Sequence, residues 1–116
     1  MIGIDIVHIP RIQRAVGNDA FKTRVFTERE CAYCDGKAKP HIHYAGMFAA
    51  KEGAVKALKC GFLHGVTPLD IEITHDIDGA PQIIFGGKAK ELLGGRTADV
   101  SISHDGEYAI AAVEIL

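Results

Sequence analysis

Phe48-Ala49-Ala50-Lys51-Glu52-Gly53-Ala54-Val55-Lys56-Ala57-Leu58 is the stretch that decides how this chain folds, because small apolar residues surround three charges. Glu52 and Lys56 are four residues apart, so a helix places them on one side, about one turn from each other. Working outward, Lys37-Ala38-Lys39-Pro40 reads as a loop and the helix runs from about His41 to Lys59, closed by Gly61 after Cys60. Gly46, Ala49, Ala50, Gly53, Ala54 and Ala57 let other backbone approach it closely. The other strong element is the N-terminus, where residues 1–7 read as a buried strand and Gly3-Ile4-Asp5-Ile6-Val7 sets one acid among apolar residues that would normally exclude it. Asp5 and Glu52 together suggest a two-carboxylate site for a hard divalent cation, with the amine of Lys56 beside a phosphate. The plainer readings are an exposed Glu52–Lys56 pair and a salt bridge from Asp5 to a core-facing basic side chain.

The remaining elements follow from caps and periodicity. Pro10 opens a basic helix, Arg11-Ile12-Gln13-Arg14-Ala15-Val16, which Gly17 and Asn18 stop. Thr27-Glu28-Arg29-Glu30 has the spacing of a capping box, so a helix starts there and ends near Asp35-Gly36. Downstream the period changes from helical to alternating. Asp70-Ile71-Glu72-Ile73-Thr74 and Pro81-Gln82-Ile83-Ile84-Phe85 form a hairpin about Asp78-Gly79, and Ala89-Lys90-Glu91-Leu92-Leu93 forms a short helix. Val100 to His104 is a further strand, and Tyr108 to Ile115 is apolar enough to be central in a sheet. The fold class is α+β, one long helix packed on an antiparallel sheet, in a single domain over 1–116.

With 13 Lys and Arg against 15 Asp and Glu, the net charge of -2 leaves no global basic field, so nucleic acid is not the expected partner. The charges are uneven, however. Arg11, Arg14, Lys22, Arg24 and Arg29 crowd the first quarter, which points to an acidic macromolecular partner or to a solvated helix face. No stretch is long and apolar enough to span a bilayer and none resembles a signal peptide, so the chain reads as cytoplasmic with Cys31, Cys34 and Cys60 reduced.

Ser101-Ile102-Ser103-His104-Asp105 contains a Ser, a His and an Asp. Adjacent strand residues point to opposite faces, so they do not form a nucleophile–base pair. Ser101 and Ser103 share a face suited to a phosphate, with His104 at the strand end, or they are simply a polar strand face. Cys31, Cys34, His41 and His43 offer four zinc ligands, although the His-x-His half is tighter than usual and the two Cys also fit one apolar helix face.

Taken in order, Gly3-Ile4-Asp5-Ile6, Phe48-Ala49-Ala50-Lys51-Glu52 with Lys56, Asp70-Ile71-Glu72-Ile73, Gly79-Ala80-Pro81 and Ser101-Ile102-Ser103-His104-Asp105 strongly resemble the holo-acyl-carrier-protein synthases, the small type of phosphopantetheinyl transferase. The resemblance covers nearly the whole chain. It implies that fold, and transfer of the phosphopantetheine arm of coenzyme A to a serine of an apo carrier protein, with release of adenosine 3′,5′-bisphosphate. Asp5 and Glu52 would hold Mg²⁺, with Mn²⁺ as the other candidate. Lys56 would neutralise phosphate and protonate the leaving group, and Glu52 would act as base directly or through a water. Lys51, Lys56, Gly79, Pro81, Ser101, Ser103 and His104 would serve the coenzyme A side. Arg11, Arg14 and Arg24 would dock the acidic carrier, and the family implies a homotrimer with sites between subunits. The chain departs from the family at Met47, where an arginine is usual, so the charge for the coenzyme A 3′-phosphate would have to come from Lys37, Lys39, His41 or His43. A non-catalytic member that binds a carrier or nucleotide is the alternative.

Overall fold

The computed structural model describes residues 1–116 in full. Strand β1 (Ile2–His8) leads into helices α1 (Ile9–Val16), α2 (Asp19–Val25), α3 (Glu28–Asp35) and α4 (Pro40–Leu58). A 3-10 turn at Pro68–Asp70 precedes the hairpin β2 (Ile71–His75) and β3 (Pro81–Phe85); α5 (Gly87–Leu93), β4 (Ala98–Asp105) and β5 (Tyr108–Ile115) complete the chain. The α+β class holds, with the last strand central in a sheet ordered β1-β5-β4, antiparallel throughout, and the hairpin forming its own two-stranded ladder.

Helix α4 organises the molecule. It begins at Pro40, whose missing amide proton costs nothing in the first turn. It ends at Leu58 with Lys59 in the left-handed region at φ 60°, two residues before the Gly61 expected to close it. Its small residues admit the sheet at backbone distance. A Cβ at Gly3 would stand 1.9 Å from the Gly53 carbonyl oxygen, so only glycine lets β1 lie this close to α4. The absence of a side chain at Gly53 serves the same contact, since a Cβ there would sit 3.3 Å from the Gly3 oxygen.

Two expectations need correction. Residues 1–7 are not buried on both faces: Gly3, Asp5 and Val7 turn toward α4, whereas Ile2, Ile4 and Ile6 are 72%, 55% and 62% exposed on the opposite side of the sheet. The stop at Gly17-Asn18 is also a start. Asn18 caps α2 by accepting the Phe21 amide at 3.0 Å, so a separate helix carries Arg24. The capping box at Thr27 forms as expected, the Thr27 amide donating to Glu30 Oε1 at 2.8 Å and the Glu30 amide to Thr27 Oγ1 at 3.2 Å.

Glu30 is fully buried, and the reason lies in α4. Its Oε1 faces Lys51 Nζ at 2.9 Å, its Oε2 accepts the Ile73 amide at 2.9 Å, and Lys51 also donates to the Pro68 and Ile71 carbonyls at 2.8 and 2.6 Å. One buried ion pair thus ties α3, α4 and the start of the hairpin together. At the hairpin's far end, Asp76 Oδ1 accepts the amides of Asp78 and Ala80, both at 2.9 Å, and Gly79 takes φ 85°.

Candidate functional site

Alternation along β1 aims Asp5 at the C-terminal half of α4, where Lys56 comes up beside it. Lys56 Nζ donates to Asp5 Oδ1 and to the Ile4 carbonyl, each at 3.0 Å. It forms no ion pair with Glu52, so the simple four-residue helix pair is not what this lysine makes. Asp5 and Lys56 line a shallow open cavity of about 220 Å³ whose other walls are Ile4, Ile6 and Ile110.

Glu52 sits one turn earlier on α4, half-buried. Burial pushes its carboxyl pKa up, and the negative charge of Asp5 adds to the rise; Lys56 and Arg11 pull the other way without cancelling it. Two carboxylates that repel each other, beside one half-exposed amine, are a poor arrangement for stability alone. As hard oxygen donors they fit Mg²⁺, which takes one or two protein carboxylates and fills its remaining positions from phosphate and water.

The residues expected on the nucleotide side divide. Gly79, Pro81 and His104 line one open cavity with the N-terminal half of α4. Ser101 and Ser103 pair across β4–β5 with Ala112 and Ile110, on the bare face of the sheet that also carries Ile4 and Ile6. His104 therefore leaves the two serines, as strand alternation requires. Asp5 lies on the β1 edge of the sheet and His104 on the β4 edge, so within one chain the two groups do not share a site.

Lys51 is corrected outright as a coenzyme A ligand. It is 1% exposed, with its amine committed to Glu30 and two carbonyls. Burial pulls its pKa down and Glu30 pulls it back up, as befits a core pair. Among the basic residues, Lys22 bonds Asp35 at 3.1 Å and Arg29 bonds Glu72 at 3.3 Å. Arg11, Arg14 and Arg24 stay exposed without an ion pair, Arg11 lying 5.9 Å above the Phe48 ring, with Arg11 and Arg14 on α1 and Arg24 apart on α2. The zinc arrangement does not form. Cys34 is fully buried with its Sγ 3.6 Å from Met47 Sδ, and no three His, Cys, Asp or Glu side chains gather to hold a metal. Sequence reasoning missed His75 and Tyr33, which stack face to face beside His43 and line the same cavity as His104. Only the hairpin's length and turn place His75 there, and no local motif announces it.

Residues 1–113 match the model of the 4′-phosphopantetheinyl transferase superfamily. The chain is 46% identical over 116 residues to a holo-[acyl-carrier-protein] synthase of Geobacter sulfurreducens, covering 96% of this chain and 92% of that one. It is 43% identical over 116 residues to that of Koribacter versatilis, covering 96% and 93%. Among solved structures, the Helicobacter pylori holo-[acyl-carrier-protein] synthase in complex with coenzyme A superposes with a TM-score of 0.90 at 36% identity, covering 100% of both chains. The Bacillus anthracis synthase, in complex with coenzyme A (3′,5′-ADP), gives 0.83 at 35% identity, covering 98% and 93%.

Proposed function

Since the chain belongs to the 4′-phosphopantetheinyl transferase superfamily and is an enzyme of the holo-[acyl-carrier-protein] synthase kind, we propose that it transfers the phosphopantetheine arm of coenzyme A to a serine of an acidic apo carrier protein, with Mg²⁺, releasing adenosine 3′,5′-bisphosphate. The observation that carries this reading is the pairing of Asp5 with Lys56, from two elements, at an open cavity, with Glu52 one turn earlier on α4 and near enough for the charge of Asp5 to raise its pKa. Mg²⁺ held by Asp5 and Glu52 would supply positive charge at the pyrophosphate. Lys56 neutralises the phosphate and donates a proton to the departing bisphosphate. Glu52, whose carboxyl is made more basic by burial and by Asp5, accepts the proton of the serine hydroxyl as its oxygen bonds phosphorus.

A homotrimer is part of the proposal, and two features support self-assembly. The sheet's outer face bares Ile2, Ile4, Ile6 and Ile110, and the Asp5 and His104 groups lie at opposite sheet edges, where neighbouring copies could bring them together. No helix is long and apolar enough to cross a membrane, and we place the enzyme in the cytoplasm, where its thiols stay reduced. Exposed Arg11 and Arg14 present positive charge on α1 to the carrier. Replacing Arg14 with Glu is expected to raise the KM for carrier about tenfold, roughly 1.4 kcal/mol, with the affinity for coenzyme A unchanged; an unaltered carrier KM would remove α1 from the docking surface.

The test of the function is intact-mass analysis of an apo acyl carrier protein after incubation with the enzyme, coenzyme A and Mg²⁺, beside a chelator control. A metal-dependent gain of one phosphopantetheine is expected. The second reading, a non-catalytic member, is favoured by one observation: Met47, 2% exposed against Cys34, brings no charge to the nucleotide cavity. No mass gain with several carriers would select that reading.

A further inference from the structure

Asp5 and Lys56 form the one ion pair between β1 and α4, and it stands where the cation would have to bind. Lys56 Nζ is held at two points on the strand, by Asp5 Oδ1 and by the Ile4 carbonyl, each at 3.0 Å. The two partners differ in freedom. The Asp5 side chain is 17% exposed, turned toward α4 by alternation along β1, whereas that of Lys56 is 52% exposed and ends a flexible four-carbon stem. Solvent screens such a pair and the long side chain loses entropy in holding it, so the amine can leave Asp5 at low cost with α4 unmoved. Apart from this pair, the cavity of about 220 Å³ beside it is walled by Ile4, Ile6 and Ile110. A phosphate entering there meets Lys56 as the only cationic group on the wall.

We propose that the Lys56–Asp5 contact is an autoinhibitory latch, in which the ammonium holds the carboxylate oxygen that a divalent cation needs until a phosphate in the cavity draws the amine away. The proposal rests on the reading of Asp5 and Glu52 as cation ligands and of coenzyme A as the phosphate source. It adds that the free chain keeps that site shut.

The physical case is one of charge. An ammonium and a divalent cation on one carboxylate repel each other across a few ångströms. Glu52, one turn earlier on α4, has no ion pair of its own, so Asp5 is the acid that the protein's own cation blocks. With both acids ionised and Lys56 in place, two carboxylates and one ammonium leave a single net negative charge at the site. Turning the amine to phosphate restores the second. The same motion serves the phosphate, which gains the freed amine as a partner. Linkage makes the effect reciprocal: the factor by which coenzyme A tightens cation binding is the factor by which the cation tightens coenzyme A binding. The two therefore bind as a pair.

The experiment is titration of the intact enzyme with Mn²⁺, an oxygen-preferring cation visible by electron paramagnetic resonance, with and without coenzyme A. Lys56→Gln is expected to bind Mn²⁺ alone about tenfold more tightly than the wild type, and coenzyme A to add a smaller factor in the variant. Lys59→Gln removes the same charge from an exposed residue without an ion pair, just past the end of α4, and should leave Mn²⁺ affinity unchanged. In the wild type, where no variant has to fold, saturating Mn²⁺ should speed acylation of the Lys56 amine by a soluble ester, read by peptide mass. Unchanged or weaker Mn²⁺ binding by Lys56→Gln, an equal gain in Lys59→Gln, an undiminished coenzyme A factor, or acylation that Mn²⁺ does not speed would overturn the latch while leaving the two carboxylates as cation ligands. If Mn²⁺ binds neither wild type nor Lys56→Gln, even with coenzyme A present, the cation reading falls and the latch with it.

Discussion

Replacing Glu52 with Gln is expected to lower phosphopantetheine transfer by about 10²–10⁴-fold while raising, rather than lowering, the melting temperature. The two signs have one cause. Burial and the charge of Asp5 lift the Glu52 pKa above the ordinary carboxylate range, so whatever stability this group contributes is complete below its unfolded-state pKa and is lost as pH rises through the folded value. At neutral pH the ionised Glu52 is a cost to the fold, which a neutral isostere removes. Asp5→Asn separates function from stability in the opposite sense. It also removes an anionic oxygen from the site, but it turns the 3.0 Å ion pair with Lys56 into a neutral hydrogen bond, so activity and melting temperature fall together. It further takes away the negative charge that lifts Glu52, moving the acid limb of any residual pH–rate profile to lower pH. Steady-state assays at saturating Mg²⁺ with parallel thermal melts check both. Wild-type transfer by the Glu52→Gln variant would end the assignment of Glu52.

The elements that sequence reading placed well are those whose signals are local. Pro40 and the run of Ala and Gly define α4, Thr27 and Glu30 define the start of α3, and alternation with Asp78-Gly79 defines the hairpin. Where it failed, the deciding information was not local. Ile2, Ile4 and Ile6 look like core because a strand pattern records which side chains are apolar, not whether this chain itself covers them. Asn18 ends one helix and caps the next, and a seven-residue helix leaves too short a period to separate the two roles. The contact of Asp5 with a basic side chain was legible because charge in an apolar setting demands a partner, whereas His75 acquires its place only when the hairpin folds against α3. Ser103 and His104 are the instructive case. The family resemblance grouped them on the coenzyme A side, whereas strand alternation, already legible in the sequence, sends them to opposite faces.

Lys51→Met is expected to cost about 3–5 kcal/mol of folding stability, the largest effect of any single substitution at a charged residue here. Lys51 and Glu52 are neighbours that α4 points in different directions, Glu52 toward the β1 edge and Lys51 into the core. Methionine matches the length of the lysine stem but supplies no proton donor. It would leave the Glu30 side chain fully buried without its cation, held only by the Thr27 and Ile73 amides, and would strand the Pro68 and Ile71 carbonyls. Those carbonyls flank the start of the hairpin that carries Gly79 and Pro81, so the KM for coenzyme A is expected to rise in whatever fraction remains folded. Urea denaturation of Lys51→Met, Glu30→Gln and the double variant measures the pair directly, because Glu30→Gln removes the orphaned charge yet keeps an acceptor for an amide. A coupling of about 1–3 kcal/mol is expected, the double variant being less damaged than the sum of the singles. Strict additivity would mean that the two side chains stabilise the fold independently, and the tie between the core of α4 and the β2–β3 hairpin would have to be sought elsewhere.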